Sequence, residues 1–439
     1  MGNCLEVFKD KKKKQEAPKQ NVHQSASVEE SQDIQQDISN VNINANQDIS
    51  KPINTQNVVA AAQSSASFGV AGPAQNEPAK PLSKAEERKR MRENLMFTKK
   101  EDEILLKYPG ELNGKQFKLE GNKRCEIYIN DYTAGGFCDR LEDCILFWGP
   151  STGSVFIREC RNCRFVIVCS QIRLRDCHDC EFMLFSNTDP ILESCSNMKY
   201  WCLNFVYPEL KSQMDNCGLS IWNNTWADQF DFTPGQNKLN YTLMDEDGDH
   251  FIDSFKTVTH NIMLLQAQHL NPDLDLSQID LNFEEKDQTP LVPITTGNLA
   301  KEAESHAFIL FLSSDGETIY EIYKYFYHTY FKGKRDKYWL KETRETDLKE
   351  DQLSELLNYD PSDENYNNRW YQSAAGKGLI GMYLCSASDP NFANEIAGYL
   401  TSNHVELEFY LSFNKDAVTE QSKKFFKEYN KEDKGHKIN

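Results

Sequence analysis

One unit recurs about every 18 residues through the middle of the chain, and few folds tolerate such a period. The stretches "KRCEIYI", "EDCILFW", "RNCRFVI", "HDCEFML" and "SNMKYWC" place a marker at Cys125, Cys144, Cys163, Cys180 and Met198, spaced 19, 19, 17 and 18 apart. A second track runs beside the first: Leu141, then Ile157 and Cys160, then Leu174 and Cys177, then Leu192 and Cys195. Self-similarity at this period, with apolar steps of three to six residues, predicts a parallel β-helix over residues 104–240, one coil per repeat.

The same columns decide how the cysteines are read. "CRNCRFVIVCSQIRLRDCHDC", residues 160–180, contains two C-x-x-C pairs whose spacing comes close to that of a zinc site. Zinc would account for four cysteines, whereas stacking inside a solenoid accounts for these and for Cys125, Cys144, Cys195 and the Met198 that continues the column. No bound metal is expected. The chain carries 13 cysteines in 439 residues with no apolar signal region behind the first Met, so reduced, cytosolic thiols are expected.

The remaining sequence divides by texture. Residues 1–14 place Gly2, Cys4, Lys9 and Lys11–Lys14 together, as in a myristoylated segment with a second acylation thiol and lysines for anionic lipid, although Glu6 stands where Ser or Thr is usual. Residues 15–82, rich in Gln, Asn, Ser and Ala, cannot bury enough apolar surface to offset chain entropy and predict a disordered tether. Ser83 and Glu86 form a capping box that starts a charged helix within 83–103. In the acidic connector 241–303, "DEDGDHFID" fails as a calcium loop because His250 and Lys256 occupy the Gly and Glu positions. Residues 304–439 alternate strand and helix patterns, which predicts a compact α/β or α+β sandwich. Its "AAGKGLIG" lacks the first glycine and the Ser or Thr of a phosphate-binding loop.

With 49 basic against 67 acidic residues, the net charge of −18 argues against a nucleic-acid partner and fits a protein with a basic surface. No run of about 18 apolar residues exists, so membrane contact must come from the N-terminal anchor.

Candidate chemistry lies on the outside of the predicted coils. With Ile172 and Leu174 inward, Arg173 and Arg175 project outward, and one coil later Glu193 takes the column of Arg175. An outward arginine beside a carboxylate on a rigid solenoid reads either as a solubilising charge ladder or as a fixed cation for the phosphates of a nucleotide held by another protein.

From about residue 95 to 235 the chain resembles the domain shared by tubulin-folding cofactor C and the retinitis pigmentosa 2 protein family, and more closely the latter. The matching stretches are "YPGELNGKQF", "GPSTGSVFIRECRNC", "CSQIRLRDC", "PILESCSN", "YPEL" and "GLSIWNNTWADQFDFTP". The resemblance implies a multidomain protein: a disordered N-terminal region, a right-handed parallel β-helix, and a ferredoxin-like domain similar to nucleoside diphosphate kinases. It implies a GTPase-activating protein for an Arf-like small GTPase, acting in traffic of lipidated proteins at the cytoplasmic face of the ciliary base. Arg173 falls on the family's arginine finger, Gln171 on its neighbouring Gln and Glu193 on the supporting acid, while Ser170 replaces the first Gln of the motif. Arg175, Ser170, Tyr108 and Phe97 are implied partner contacts. The chain would need no cofactor of its own, since the partner supplies GTP and magnesium. Ser412 stands near the place of the kinase family's catalytic His, and His404 precedes that strand, so no phosphotransfer is expected. Tubulin as the activated GTPase, and a non-catalytic scaffold for a GTPase, are the alternatives.

Overall fold

The computed structural model describes residues 94–204, 206–207, 209–235, 239–245, 289–362 and 366–429. Gly2, Cys4, the tether, the Ser83 helix start and most of the acidic connector lie outside the described residues.

Twelve short strands build a parallel solenoid: β1 (Met96–Thr98), β2 (Ile104–Lys107), β3 (Phe117–Glu120), β4 (Glu126–Ile129), β5 (Gly136–Asp139), β6 (Ile145–Arg158), β7 (Arg164–Arg175), β8 (Glu181–Ser186), β9 (Ile191–Glu193), β10 (Met198–Cys202), β11 (Phe230–Asp231) and β12 (Tyr241–Leu243). Every pairing among them is parallel. The long strands β6 and β7 bend around the axis and serve two faces. Their first halves join β4 and β8, and their second halves join β5 and β9.

The register places the markers in one column. Pairing of Glu126 with Ile145, Ile145 with Arg164, Arg164 with Glu181 and Glu181 with Lys199 stacks Cys125, Cys144, Cys163, Cys180 and Met198, each beside its neighbour in the next coil. Bridges from Glu142 to Arg161 to His178 to Ser196 stack Leu141, Cys160, Cys177 and Cys195 likewise. All these side chains are buried, and Cys163 and Cys180 donate their thiols to the Arg161 and His178 carbonyls at 3.1 and 3.3 Å. Burial pushes the Cys138 and Cys163 thiols well above the ordinary value, which keeps them neutral. Among the described residues no group of three or more His, Cys, Asp or Glu is placed to hold a metal ion. Phe165, Phe182 and Tyr200 form a third stack, with ring centroids 4.8 and 5.2 Å apart.

What turns each coil is a pair of left-handed residues. Arg140 and Asp143, Glu159 and Asn162, Asp176 and Asp179, and Ser194 and Asn197 have φ between 51° and 56°. Each sits one residue before an interior column, so the chain corners and delivers the next side chain inward. The side chains help: the Asn162 amide donates to Asp143 and the Asn197 amide to Asp179, both at 2.7 Å.

After β10 the chain forms helix α1 (Leu210–Asn216), returns to the solenoid with β11 and β12, and later builds a second sheet of β13 (Ser305–Leu312), β14 (Tyr338–Asp347), β15 (Gly378–Ser386) and β16 (Phe409–Ser412). Its order is β14-β15-β13-β16 with every neighbouring pair antiparallel. Helices α2 (Gly316–Phe326) and α5 (Phe392–Asn403) cover one side, and α3 (Glu350–Leu357), α4 (Tyr366–Ala374) and α6 (Lys415–Lys423) cover the other. Alternation along β13 explains the two-sided core: Ala307, Ile309 and Phe311 face α2, whereas Phe308 and Leu310 face α6. The α2 side is shared with the solenoid, because Phe147, Val166, Met183 and Phe185 on its outer surface join the same apolar cluster. Among the described residues no helix is long and apolar enough to cross a membrane.

Candidate functional site

A second solenoid face, separate from the one that joins that cluster, is built from β5, the second halves of β6 and β7, β9 and β11. Register stacks Phe137, Phe156, Arg173, Ile191 and Phe230 in one outward column. The next outward column holds Asp139, Arg158, Arg175 and Glu193. Strand alternation does the aiming: Ile172 and Leu174 are fully buried, and the two arginines between and after them are exposed.

Arg173 is held in place by neutral groups. Its Nε donates to the Gln171 side-chain oxygen at 2.9 Å, and that oxygen also accepts from the Ser154 hydroxyl at 3.1 Å. Its guanidinium lies 5.7 Å from the Phe156 ring centre, which sets its height above the sheet through a cation–π contact. Among the described residues no carboxylate pairs with Arg173, and the side chain is exposed. Arg158 is the contrasting case: Asp139 binds its Nε and Nη2 at 2.7 and 2.9 Å and holds its pKa above the usual value. Its guanidinium also covers the Phe137 ring, which stacks on Phe156 with centroids 5.3 Å apart. The chain thus spends one arginine on structure and leaves its neighbour uncommitted.

Glu193 stands beside Arg175 in register, as the spacing implied, and diagonal to Arg173. Among the described residues it is ion-paired with neither arginine; Arg175 turns instead to Asp176, at 3.2 Å. Ser170 is half-buried next to Gln171, and its carbonyl accepts from the Thr188 amide at 3.0 Å. Phe97 and Tyr108 are not brought to this face. Phe97 takes the interior column beside Leu119 and meets Phe117 edge to face, so it caps the first coil. Tyr108 is buried, only 7% exposed.

Sequence reasoning missed an aromatic pair. Phe230 and Phe232 are 55% and 62% exposed, with ring centroids 4.8 Å apart, the first on the strand that extends the Arg173 face and the second just past it. Their i, i+2 spacing in "DQFDF" carried the signal, since alternate residues of a strand share a side.

Comparison with known proteins places the chain. A family model described as tubulin binding cofactor C matches residues 114–232. Protein XRP2 of Xenopus laevis is 33% identical over 223 residues, covering 51% of this chain and 59% of that one. Protein XRP2 of Danio rerio is 27% identical over 225 residues, covering 51% and 56%. Human tubulin-specific chaperone C is 26% identical over 136 residues, covering 31% and 39%. The chain thus spans about half the length of the XRP2 relatives it matches. Most of the solenoid, with its stacked columns, thus lies in the stretch, residues 114–232, that matches the tubulin binding cofactor C family, and the chain is similar to XRP2 and to tubulin-specific chaperone C.

Proposed function

We propose that this protein is a GTPase-activating protein for an Arf-like small GTPase, with Arg173 entering the partner's nucleotide site in trans. The observation that carries this reading is the state of Arg173: outward, fixed by Gln171 and Phe156, without a carboxylate partner among the described residues, and flanked by exposed apolar side chains. Phosphoryl transfer is accelerated chiefly by positioning and by cations that meet the charge developing on the γ-phosphate. GTP and magnesium belong to the partner; the chain adds a planar, permanently charged donor, a contribution of about 10³- to 10⁵-fold in known fingers. Glu193, diagonal to Arg173, becomes a second support once the guanidinium turns toward the phosphates. Ile191, Phe230 and Phe232 offer the apolar area that holds the partner while Arg173 acts.

The N-terminal sequence suits attachment of this activator to the cytoplasmic face of a membrane through acyl groups on Gly2 and Cys4 and through its lysines, with the ciliary base as its place of work. The C-terminal sheet, in chain order 2-3-1-4 and wholly antiparallel, suits a ferredoxin-like domain of the nucleoside diphosphate kinase type. Tubulin is the second candidate partner, favoured by the match to a protein named tubulin-specific chaperone C.

Single-turnover hydrolysis measured in parallel with a GTP-loaded Arf-like GTPase and with tubulin separates the two. Stimulation of the Arf-like protein alone is expected. Stimulation of tubulin alone would transfer the activity to tubulin, and stimulation of neither would remove it.

A further inference from the structure

The cofactor C domain and the C-terminal domain meet along residues 220–228, and the bonds there are made by side chains aimed in opposite directions. Asn224 grips the solenoid: its amide nitrogen donates to the Leu184 carbonyl and its oxygen accepts from the Ser186 amide, both at 3.1 Å. Asn223 grips β14: its oxygen accepts from the Glu345 amide at 2.7 Å and its nitrogen donates to the Glu345 carbonyl at 3.1 Å. Trp222 packs edge to face on Tyr323 of α2, and the Thr343 hydroxyl donates to the Trp222 carbonyl at 2.8 Å. Gly297, at φ 53°, lies so close that a Cβ there would stand 2.3 Å from that of Ala227.

The last bond of the joint is ionic. Lys427, on the π-helical continuation of α6 (Lys424–Glu428), reaches both oxygens of Asp228 at 2.7 Å and Glu342 of β14 at 2.9 Å. Asn298 donates to the same Asp228 carboxylate at 2.6 Å. Arg344, half-buried, lies in the field of both acids. Lys427 is the cation that bonds both carboxylates directly across the two domains; without it Asp228 and Glu342 would keep only the field of Arg344. Asp228 stands two residues before Phe230, and β11 is only two residues long, held by the Phe230 and Phe232 amides, which donate to the Pro190 and Leu192 carbonyls. A strand so short gains much from a fixed approach.

We propose that Lys427 is a positioning residue for the partner-facing surface: the C-terminal domain latches Asp228 and thereby sets where Phe230 and Phe232 stand beside Arg173. This inference rests on the activator reading above. It assigns the C-terminal domain a share in partner affinity without placing any of its residues in the hydrolysis step. A ligand or modification acting on α6 would then reach the solenoid face through this joint.

The full-length protein serves for the test, with Lys427→Met, Lys427→Arg and Glu355→Gln. The last breaks an ion pair of the neighbouring Lys424 that stays within the C-terminal domain. Half-saturating activator concentration and maximal rate are measured in single-turnover hydrolysis, and hydrogen exchange is followed over residues 226–233. Lys427→Met is expected to raise the half-saturating concentration roughly tenfold at unchanged maximal rate and to speed exchange in that segment. Lys427→Arg should restore both, and Glu355→Gln should alter neither. An unchanged half-saturating concentration, a loss confined to maximal rate, or equal effects of Lys427→Met and Glu355→Gln would each overturn the proposal. Should Lys427→Met not fold, Asp228→Asn removes the same charge pair and is expected to behave alike. If the wild type stimulates no GTPase, the activator reading fails, and the exchange comparison, which needs no partner, still decides whether the latch holds the segment.

Discussion

On the proposed reading a cation that serves another protein's reaction must arrive already aimed, and at Arg173 one amide and one ring restrict the side chain. A free arginine side chain carries about 2 kcal/mol of rotamer entropy. The Gln171 oxygen and the Phe156 face restrict it before any partner binds. Gln171→Leu removes the acceptor while leaving a side chain of similar size. The stimulated rate should fall about tenfold, the scale of one lost orienting hydrogen bond, with no change in thermal midpoint because the group is at the surface. A parallel fall in midpoint would mean that Gln171 is a structural residue. Arg158 projects from the same face one coil away, in the column of Arg175, and its bidentate bond to Asp139 commits it to the fold.

At the level of the coil, two interior columns and two left-handed corners recur together. The columns were legible because cysteines at a period near 18 are rare enough to be noticed, and stacking explained more of them than zinc did. The corners were equally present in the letters, as the Asp or Asn just before Cys144, Cys163, Cys180 and Met198, but their meaning depends on backbone sign, which a hydrophobic pattern does not reveal. Glu159 tests them cleanly, since its φ is 55° and it is exposed. Glu159→Val should destabilise the protein by about 1–2 kcal/mol in urea denaturation, whereas Glu159→Gly should be near neutral. Equal losses would show that the corner is not what the residue supplies. Phe97, for which the resemblance suggested a partner contact, is half-buried at the first coil, packed beside Leu119 and away from the Arg173 face.

For the whole molecule, the decisive feature is that one apolar cluster belongs to both domains. The stretch "GLSIWNNTWADQFDFTP" marked the family, yet nothing local told that its adjacent asparagines bond in opposite directions. Asn223 and Glu345 lie 122 positions apart, so their pairing is a property of the assembled fold. Asn223→Ala would leave a backbone donor and an acceptor of β14 without partners near the interface. A loss of about 2 kcal/mol or more in global stability is expected from equilibrium denaturation. A change within about 0.5 kcal/mol, the range of ordinary surface substitutions, would indicate that water replaces the amide and that the joint is looser than its geometry. Arg173 and Arg175 stand exposed on a different solenoid face from the one that joins this cluster.

The most direct test is single-turnover GTP hydrolysis by an Arf-like GTPase at saturating activator, comparing the wild type with Arg173→Ala while binding of both is measured in parallel. The stimulated rate should fall by about 10³-fold or more with binding weakened only severalfold. Equal stimulation by the two proteins, or a loss of rate fully explained by lost binding, would contradict a finger at Arg173.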